Sequence, residues 1–295
     1  MDNHNTKCQQ AKCAKRWSYM KIASSLIEIG ITKYLPKYDK RIYGLCKHYI
    51  DRYRGENNND FHTNGELRLM HELLPKCQNV FDIGANVGNW SSLALSINST
   101  LELHCFEPSQ VTFQKLSTNP VLTHAFLNNI GLGSKRERRM LYIFGEASGL
   151  NSLYQRRGLE RGCGISPPEQ TEEVEIDTLD NYCQAHSINR IDFAKIDAEG
   201  HELEVLKGAK SLLSKDRIDV IQFEYGGCNI DSEILLKHVF EFLQPLGYAF
   251  LKIYPQELKL FEHYDQRLED FQYQNWIAIK QGCNKIISMG SIGNL

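Results

Sequence analysis

The chain has 295 residues, of which 42% are hydrophobic and 24% are charged, so it can bury a substantial core as an ordinary globular protein does. Its formal net charge of −2 argues against wholesale nucleic-acid binding. Nine cysteines stand at irregular spacing with no CxxC pair, which indicates neither a zinc site nor a disulfide framework. A reducing, cytoplasmic location is therefore expected.

The start of the chain is basic and the remainder is acidic. Residues 1–54 contain 12 lysine and arginine residues against 4 acidic ones. Apolar residues recur at helical spacing between Ser18 and Tyr53 with a break at Pro36, which predicts two amphipathic helices. We expect no signal peptide and no membrane span. Peripheral association of this basic arm with an anionic surface or partner stays open.

Strands and helices alternate from Glu66 onward. Helical patterns end before Pro75, follow Gly200, and run from Asp231 to Gly247. The predicted strands are apolar runs bounded by turn residues: Asn79–Ile83, Leu101–Phe106, Thr123–Asn129, Ile191–Ile196, Val220–Glu224, Tyr248–Ile253 and Trp276–Ile279. This alternation predicts an α/β fold with a doubly wound, mostly parallel sheet.

An interruption separates the third and fourth of these strands. Met140–Phe144 and Glu173–Ile176 predict an extra strand pair, and the long segment Gln155–Pro168 between them is typical of a lid or an irregular insertion. Its arginines, together with those just upstream, could meet an acidic acceptor, although a solvated position is expected for each: Arg156, Arg157, Arg161, Lys135, Arg136, Arg138 and Arg139.

The turn after the first strand reads Asp82-Ile-Gly-Ala-Asn-Val-Gly88. Gly84 and Gly88 allow the backbone to bend sharply and to approach a ligand closely. The turn also opens a helix, whose free N–H groups favour electron-rich groups. By itself the motif is also compatible with a tight connection that binds nothing.

Glu107 indicates which kind of ligand the turn would bind. It closes the second strand, 23 residues after Gly84, where a carboxylate can accept hydrogen bonds from both hydroxyls of a ribose. Asn86 replaces the middle glycine of a dinucleotide motif, and Asp82 would repel a diphosphate. The pattern therefore disfavours a nicotinamide and suits a cofactor with an amino group and a sulfonium cation.

A second polar cluster, Lys195 to Glu202, follows the strand Ile191–Ile196. In an open α/β sheet this edge is where ligands bind, and Asp197 is the leading candidate there. Two structural explanations stay open beside it. Glu202 and Glu204 are expected on the solvated face of the next helix, and an internal ion pair is the alternative for Lys195 and Glu199.

The segments Val80–Gly88 and Phe193–Ala209 resemble the FkbM family of S-adenosylmethionine-dependent methyltransferases, and the resemblance extends from Val80 to Ile279. It implies a Rossmann-like class I sheet of seven strands, with antiparallel Trp276–Ile279 inserted beside Val220–Glu224. It further implies a set of residues that hold S-adenosylmethionine: Asp82, Gly84, Asn86 and Gly88 at the methionine part, Glu107 at the ribose, and Asn129 and Ile130 at the adenine, with Asp197 also in the set.

Domain boundaries follow from the same resemblance. Residues 1–75 are predicted as a helical N-terminal extension, residues 76–282 as the methyltransferase domain, and residues 283–295 as a C-terminal tail. Neither the extension nor the segment Arg157–Pro168 matches anything in the family pattern, so the resemblance implies no role for them.

Methyl transfer to an alcohol requires removal of the hydroxyl proton, for which a carboxylate or imidazole is suited. Four candidates fall at the carboxyl edges of adjacent strands, with Lys195 beside them: Asp197, Glu199, His201 and Glu224. The sequence does not rank them. No metal is assigned, and a divalent cation held by paired carboxylates is the lesser alternative.

The predicted function is O-methylation of a sugar, a glycan or a small metabolite, because that is what the resemblance implies. Two other classes stay open. One is a nicotinamide-dependent oxidoreductase on a Rossmann-like fold. The other is a non-catalytic module that docks through its basic arm.

Overall fold

The computed structural model describes Lys33 and residues 38–159, 164–168 and 170–285. The chain divides into two compact units, residues 1–50 and 51–295. The helix predicted before Pro36 lies outside the described residues, whereas the one predicted after it is helix α1, Lys40–Arg54. Within the described residues no helix has the length and apolar character needed to cross a membrane.

The strands agree closely with the predicted ones. In chain order they are β1 Asn79–Ile83, β2 Glu102–Phe106, β3 Phe126–Asn128, β4 Gly131–Leu132, β5 Glu137–Ile143, β6 Gln170–Asp177, β7 Ile191–Ile196, β8 Ile218–Tyr225, β9 Tyr248–Ile253, β10 Leu258–Phe261 and β11 Gln274–Lys280. Eight of them form the main sheet, in the order β10-β9-β11-β8-β7-β1-β2-β3. The doubly wound α/β architecture is confirmed.

The position of the last strand is confirmed as well. β11 lies antiparallel between β8 and β9, with Trp276 opposite Phe223 and Lys252. The main sheet has eight strands among the described residues rather than seven, because β10 extends the edge antiparallel to β9. β10 is only four residues long, too short for its alternation to be recognised.

The predicted extra strand pair is confirmed as β5 and β6, which pair antiparallel. They belong to a small second sheet of order β4-β6-β5. The two-residue strand β4 carries no periodic signal. It follows β3 after two residues and so places the insertion beside the carboxyl edge of the main sheet.

Helices cover both faces of the main sheet. After α1 they are α2 Glu66–Leu73, α3 Asn89–Ile97, α4 Gln110–Ser117, α5 Leu179–Ala185, α6 Glu202–Lys207, α7 Lys210–Ser214, α8 Cys228–Ser232 and α9 Leu236–Leu243. Successive strand residues point to opposite faces. Phe81 accordingly packs in the core beneath α5, α6, α7 and α9, while its neighbour Val80 packs beneath α2, α3 and α4.

The single helix predicted after Gly200 is divided into α6 and α7 at Gly208. The backbone of Gly133 passes so closely that a Cβ on Gly208 would lie 2.0 Å from the Gly133 carbonyl oxygen. The Gly208 carbonyl also accepts a hydrogen bond from the backbone of Asp180. The helix is therefore interrupted at Gly208, where its backbone packs against the segment after β4.

We expect Gly208→Ala to lower the free energy of unfolding by about 2–3 kcal/mol, because the added methyl group overlaps fixed backbone. Gly227→Ala is the matched control. Both glycines have right-handed helical φ and ψ angles, but nothing lies within 4 Å of a Cβ at Gly227. Urea unfolding of the two variants measures the difference, and equal stabilities would contradict this account of the break.

The topology brings the predicted site residues to one edge. β1 runs parallel to β2 and to β7, and β7 runs parallel to β8. The carboxyl ends of these four strands consequently open in the same direction. The turn after β1, Glu107 after β2, Asp197 after β7 and Glu224 near the end of β8 meet there.

Candidate active site

The turn after β1 is held by backbone contacts on both sides. Gly84 has φ +85°, and a Cβ there would lie 1.8 Å from the carbonyl oxygen of Asp197. The N–H groups of Gly84 and Ala85 donate to the Phe106 carbonyl at 2.9 Å. Only glycine can occupy this position, and the turn sits directly against the end of β7.

Glu107 is 7% exposed and faces this turn. Its Oε2 accepts the backbone N–H of Asn86 at 3.0 Å, and its Oε1 accepts that of Ser109 at 2.9 Å. Burial raises the pKa of Glu107 to about 7, against the lowering effect of these two hydrogen bonds. Each carboxylate oxygen keeps lone-pair capacity for a further donor.

One pocket collects part of the predicted cofactor set. Gly84, Asn86, Glu107 and Asp197 all line it. Its other walls are the segments after β2 and β3 and the insertion, including Pro108, Gly131, Leu132, Leu141, Ser148 and Leu153. Most of these wall residues are apolar or glycine, whereas Glu107 is charged when ionised.

Four other residues predicted to bind the cofactor do not line this pocket. Asp82 is fully buried beneath the turn, accepts a 2.6 Å hydrogen bond from Ser91 Oγ, and lies 3.6 Å from Lys195 Nζ. Strand alternation turns it toward α3 rather than toward the pocket. The remaining three are Gly88, which faces Leu116 and Leu122, Asn129, which donates to the Glu107 and Pro108 carbonyls, and Ile130, which lines a separate surface depression.

An acidic cluster lies next to the pocket. One carboxylate oxygen from each of Asp197, Glu199 and Glu224 lies within 4.8 Å of the other two. Lys195 Nζ is 3.0 Å from Asp197 Oδ2, so the ion pair between Lys195 and Glu199 that the sequence left open is wrong. Residues two apart on an extended segment point the same way, which brings Lys195 to Asp197 instead.

Glu199 is paired by Arg156. Their Nη1 and Oε2 atoms are 2.6 Å apart, and Arg156 is 8% exposed, so the expectation of a solvated Arg156 is wrong. The insertion folds over the end of β7 at this point, since Ser152 Oγ also donates to the Glu199 carbonyl at 2.7 Å. A contact across 43 residues leaves no local pattern by which sequence reasoning could find it.

Burial has the largest effect on the pKa values of Glu199 and Glu224. It raises the pKa of Glu199 to about 8, although Arg156 opposes the shift. It also raises the pKa of Glu224 well above its ordinary value, and the carboxylates of Asp197 and Glu199 add to the effect. Burial would lower the pKa of Lys195, but Asp197 and Asp82 raise it overall. Lys195 is consequently a fixed positive charge in the site.

His201 is less suited to accept a proton than its ordinary pKa suggests. It is 3% exposed, and its Nδ1 lies 2.8 Å from Tyr154 Oη. Burial, assisted by Arg139, lowers the pKa of His201 to about 4. The imidazole is therefore neutral and weakly basic at neutral pH, and it makes no side-chain cap on α6.

Glu202 was expected on a solvated helix face, and this expectation is wrong. The side chain is 2% exposed, and its Oε1 accepts the backbone N–H groups of Ala198 and Gly200 at 3.0 and 3.1 Å. It thereby holds the turn that carries Asp197 and Glu199. Glu204 is partly exposed and pairs with Lys207, closer to what the sequence predicted.

We expect Glu202→Gln to flatten the pH dependence of stability. Burial raises the pKa of Glu202 from its ordinary value of 4.5 to about 7. Between these values the folded protein binds more protons than the unfolded chain, so this group's contribution falls as pH rises through that window. In the wild type this group should make the free energy of unfolding about 2–3 kcal/mol higher at pH 5 than at pH 8, and the variant should lack that contribution. Glu204→Gln on the same helix should not.

The carboxylate spacing would also suit a divalent cation. Lys195 and Arg156, however, already place fixed positive charges against two of the three carboxylates. Three carboxylates against these two cations leave a formal charge of −1, which a divalent ion would exceed. We therefore describe the cluster as an acid–base site and assign it no metal.

Tyr273 is a site residue that sequence reasoning missed. Its hydroxyl donates to Glu224 Oε1 at 2.8 Å, across 49 residues of sequence. It lies just before β11, and the antiparallel pairing of β11 with β8 brings the two together. The predicted pairing of these strands was the one signal that could have pointed to it.

Comparison with known proteins shows that the residues at this edge lie within the domain of a known family. Residues 82–273 match the Methyltransferase FkbM domain. Methyltransferase sdnD of Sordaria araneosa is 29% identical, covering 46% of this chain and 61% of the relative. The hexuronic acid methyltransferase AglP of Haloferax volcanii is 23% identical, covering 54% of this chain and 62% of the relative.

The chain thus spans about three fifths of the length of these two relatives. The crystal structure of a methyltransferase FkbM from Methylobacillus flagellatus KT has a TM-score of 0.41 and 16% identity, covering 74% of this chain and 52% of that one. The matched domain includes the turn after β1, Glu107, and the whole acidic cluster. The chain belongs to the FkbM methyltransferase domain family.

Proposed function

We propose that the chain is an S-adenosylmethionine-dependent O-methyltransferase that acts on a hydroxyl of a sugar, a glycan or a small metabolite. One observation carries the proposal. The glycine turn after β1 and the Glu107 carboxylate line the same pocket as Asp197. The residues that would bind a ribose-bearing cofactor therefore lie next to those that would accept a proton.

The residues fit the cofactor. Glu107 offers two carboxylate oxygens to ribose hydroxyls. Its pKa is raised to about 7 because burial destabilises the charged carboxylate, and hydrogen bonds from the hydroxyls would offset that cost. The acidic cluster suits a cation beside Asp197. A diphosphate would meet Glu107, Asp197 and Glu199 at the same pocket, with no cation among the residues that line it.

Bound S-adenosylmethionine supplies an electrophilic methyl group on a good leaving group. The protein's part is to align the acceptor and to take its proton. Lys195 holds Asp197 in place through a 3.0 Å ion pair, and Arg156 holds Glu199. A fixed cluster of this kind can orient a hydroxyl and accept its hydrogen bond.

A polyhydroxylated acceptor is favoured by the density of oxygen acceptors. Three carboxylates at one edge can each accept a hydroxyl hydrogen bond. The relative named for hexuronic acid methylation supports a sugar as the class. The buried free thiols of Cys105 and Cys183 support a reducing, cytoplasmic setting for it.

Calorimetric titration separates this proposal from the oxidoreductase alternative. We expect S-adenosylmethionine and S-adenosylhomocysteine to bind and NADH not to bind, and Glu107→Gln to weaken both adenosyl ligands. Glu102→Gln, on the exposed start of the same strand, is the control. Binding of NADH with no response to S-adenosylmethionine would overturn the proposal.

A further inference from the structure

The contact between Tyr273 and Glu224 has a defined direction. The Asn275 side-chain amide donates to the Tyr273 hydroxyl at 3.2 Å. Since that oxygen already accepts from Asn275, its own proton points to Glu224 Oε1. Burial, with help from the Glu224 charge, raises the pKa of Tyr273, so the phenol stays protonated. Glu224 therefore receives a permanent donor on one of its two oxygens.

This donor is anchored in the core. Asn275 is 4% exposed and also donates to Glu66 Oε1 at 3.2 Å. Glu66, itself 4% exposed, is further held by Gln222 at 2.5 Å. The chain of hydrogen bonds from α2 through β11 to β8 fixes the Tyr273 hydroxyl, and through it the orientation of Glu224.

Glu224 differs from its neighbours in charge compensation. Asp197 is paired with Lys195 and Glu199 with Arg156. Among the described residues, Glu224 has no lysine, arginine or histidine nitrogen within 4.0 Å, and its hydrogen-bond partner is the neutral Tyr273. The groups that act on it are Asp197, Glu199 and Glu66, with Lys195 as the opposing cation. Of the three clustered carboxylates, Glu224 is thus the one whose charge no described cation within 4.0 Å offsets.

In the order of the strands, Glu224 lies on the far side of Asp197 from the cofactor pocket. β8 lies on the side of β7 that faces away from β1 and β2. Asp197 and Glu199 line the pocket that contains the glycine turn, and Glu224 does not. An acceptor that reaches the cluster from the β8 side would therefore meet Glu224 first.

We propose that Tyr273 is a positioning residue that makes Glu224 the proton acceptor of the reaction. The inference rests on the proposed function. Burial raises the pKa of Glu224 and so favours its protonated form in the free protein, whereas a cation bound beside Asp197 would favour the ionised form. When the new O–CH₃ bond forms, the S–CH₃ bond breaks and sulfur keeps its electron pair. The acceptor's O–H proton passes to Glu224 Oε2, the oxygen to which Tyr273 does not donate.

Calorimetry with two defined probes tests this. S-adenosylmethionine carries the sulfonium cation and S-adenosylhomocysteine does not. Titrations from pH 6 to 9, in buffers of different ionisation enthalpy, count the protons released on binding. We expect S-adenosylmethionine to release more protons than S-adenosylhomocysteine, and Glu224→Gln to remove that difference while binding persists.

Tyr273→Phe gives the specific readout. Loss of a hydrogen bond that favours the charged carboxylate should move the pH midpoint of proton release upward by about one unit. Tyr248→Phe is the matched control, because its hydroxyl donates to a different buried group, the Ile218 carbonyl, at 2.6 Å. The control should leave the midpoint unchanged.

Three results would overturn the inference: a difference that persists in Glu224→Gln, equal midpoints in the two tyrosine variants, or cofactor binding without extra proton release. The last would leave the proposed function intact, whereas absence of binding would overturn both. If Glu224→Gln does not fold, ¹³C NMR of the wild-type protein labelled at glutamate Cδ replaces it. A carboxyl resonance whose titration midpoint moves in Tyr273→Phe but not in Tyr248→Phe, and falls when the cofactor binds, is then required.

Discussion

Replacement of Gly84 by alanine should both slow methyl transfer strongly and destabilise the fold. The new Cβ would lie 1.8 Å from the Asp197 carbonyl oxygen, at a φ of +85° that side chains rarely adopt. Strain and overlap should lower the free energy of unfolding by about 3 kcal/mol or more. Displacement of the turn from β7 should reduce transfer by roughly 100-fold or more. Urea unfolding and labelled-methyl transfer measure the two effects.

Gly149→Ala is the control for this change. Gly149 lines the same pocket, yet nothing lies within 4 Å of a Cβ built on it. Its stability should stay within about 0.5 kcal/mol of the wild type. A Gly84→Ala protein that binds S-adenosylmethionine as the wild type does would show that the cofactor lies elsewhere.

Asp197→Asn should reduce methyl transfer by roughly 100- to 1,000-fold, the usual consequence of removing one preorganised charge from a buried site. The side chain keeps its size but loses the charge that pairs with Lys195. The loss should appear in the rate of transfer more than in folding, since Asp197 is partly exposed and Lys195 retains Asp82 at 3.6 Å.

Asp265→Asn provides the comparison, because this carboxylate pairs with Arg267 within a surface turn. It should leave transfer unchanged. Retention of full transfer by Asp197→Asn would mean that the reaction takes place away from the end of β7, and the assignment of the acidic cluster would be wrong.

The periodic parts of the fold were predictable because burial leaves a pattern in sequence. β1, β7 and β9 have the predicted bounds, since each is an apolar run that ends at turn residues. β10 and β4 escaped because strands of four and two residues show no period. Gly208 divides a continuous helical pattern for a tertiary reason, the close passage of Gly133.

The candidate site was predictable where it follows strand ends. Glu107 and Asp197 come directly after β2 and β7, and the parallel pairing of β1 with both strands brings them together. Arg156 and Tyr273 are different. They reach the cluster through the insertion and through β11, so their roles depend on contacts across more than 40 residues. Glu202 was misjudged because hydrogen bonds from two backbone N–H groups, rather than from water, hold its Oε1 atom in the interior.

Incubation with S-adenosylmethionine labelled in its methyl group and a fractionated cell extract tests the central claim most directly. We predict that label enters a sugar, glycan or small-metabolite fraction and that alkali does not release it, because the product is an ether rather than a methyl ester. The Asp197→Asn protein should leave the same fraction unlabelled. Label in no fraction, or in an alkali-labile ester, would contradict O-methylation of a hydroxyl.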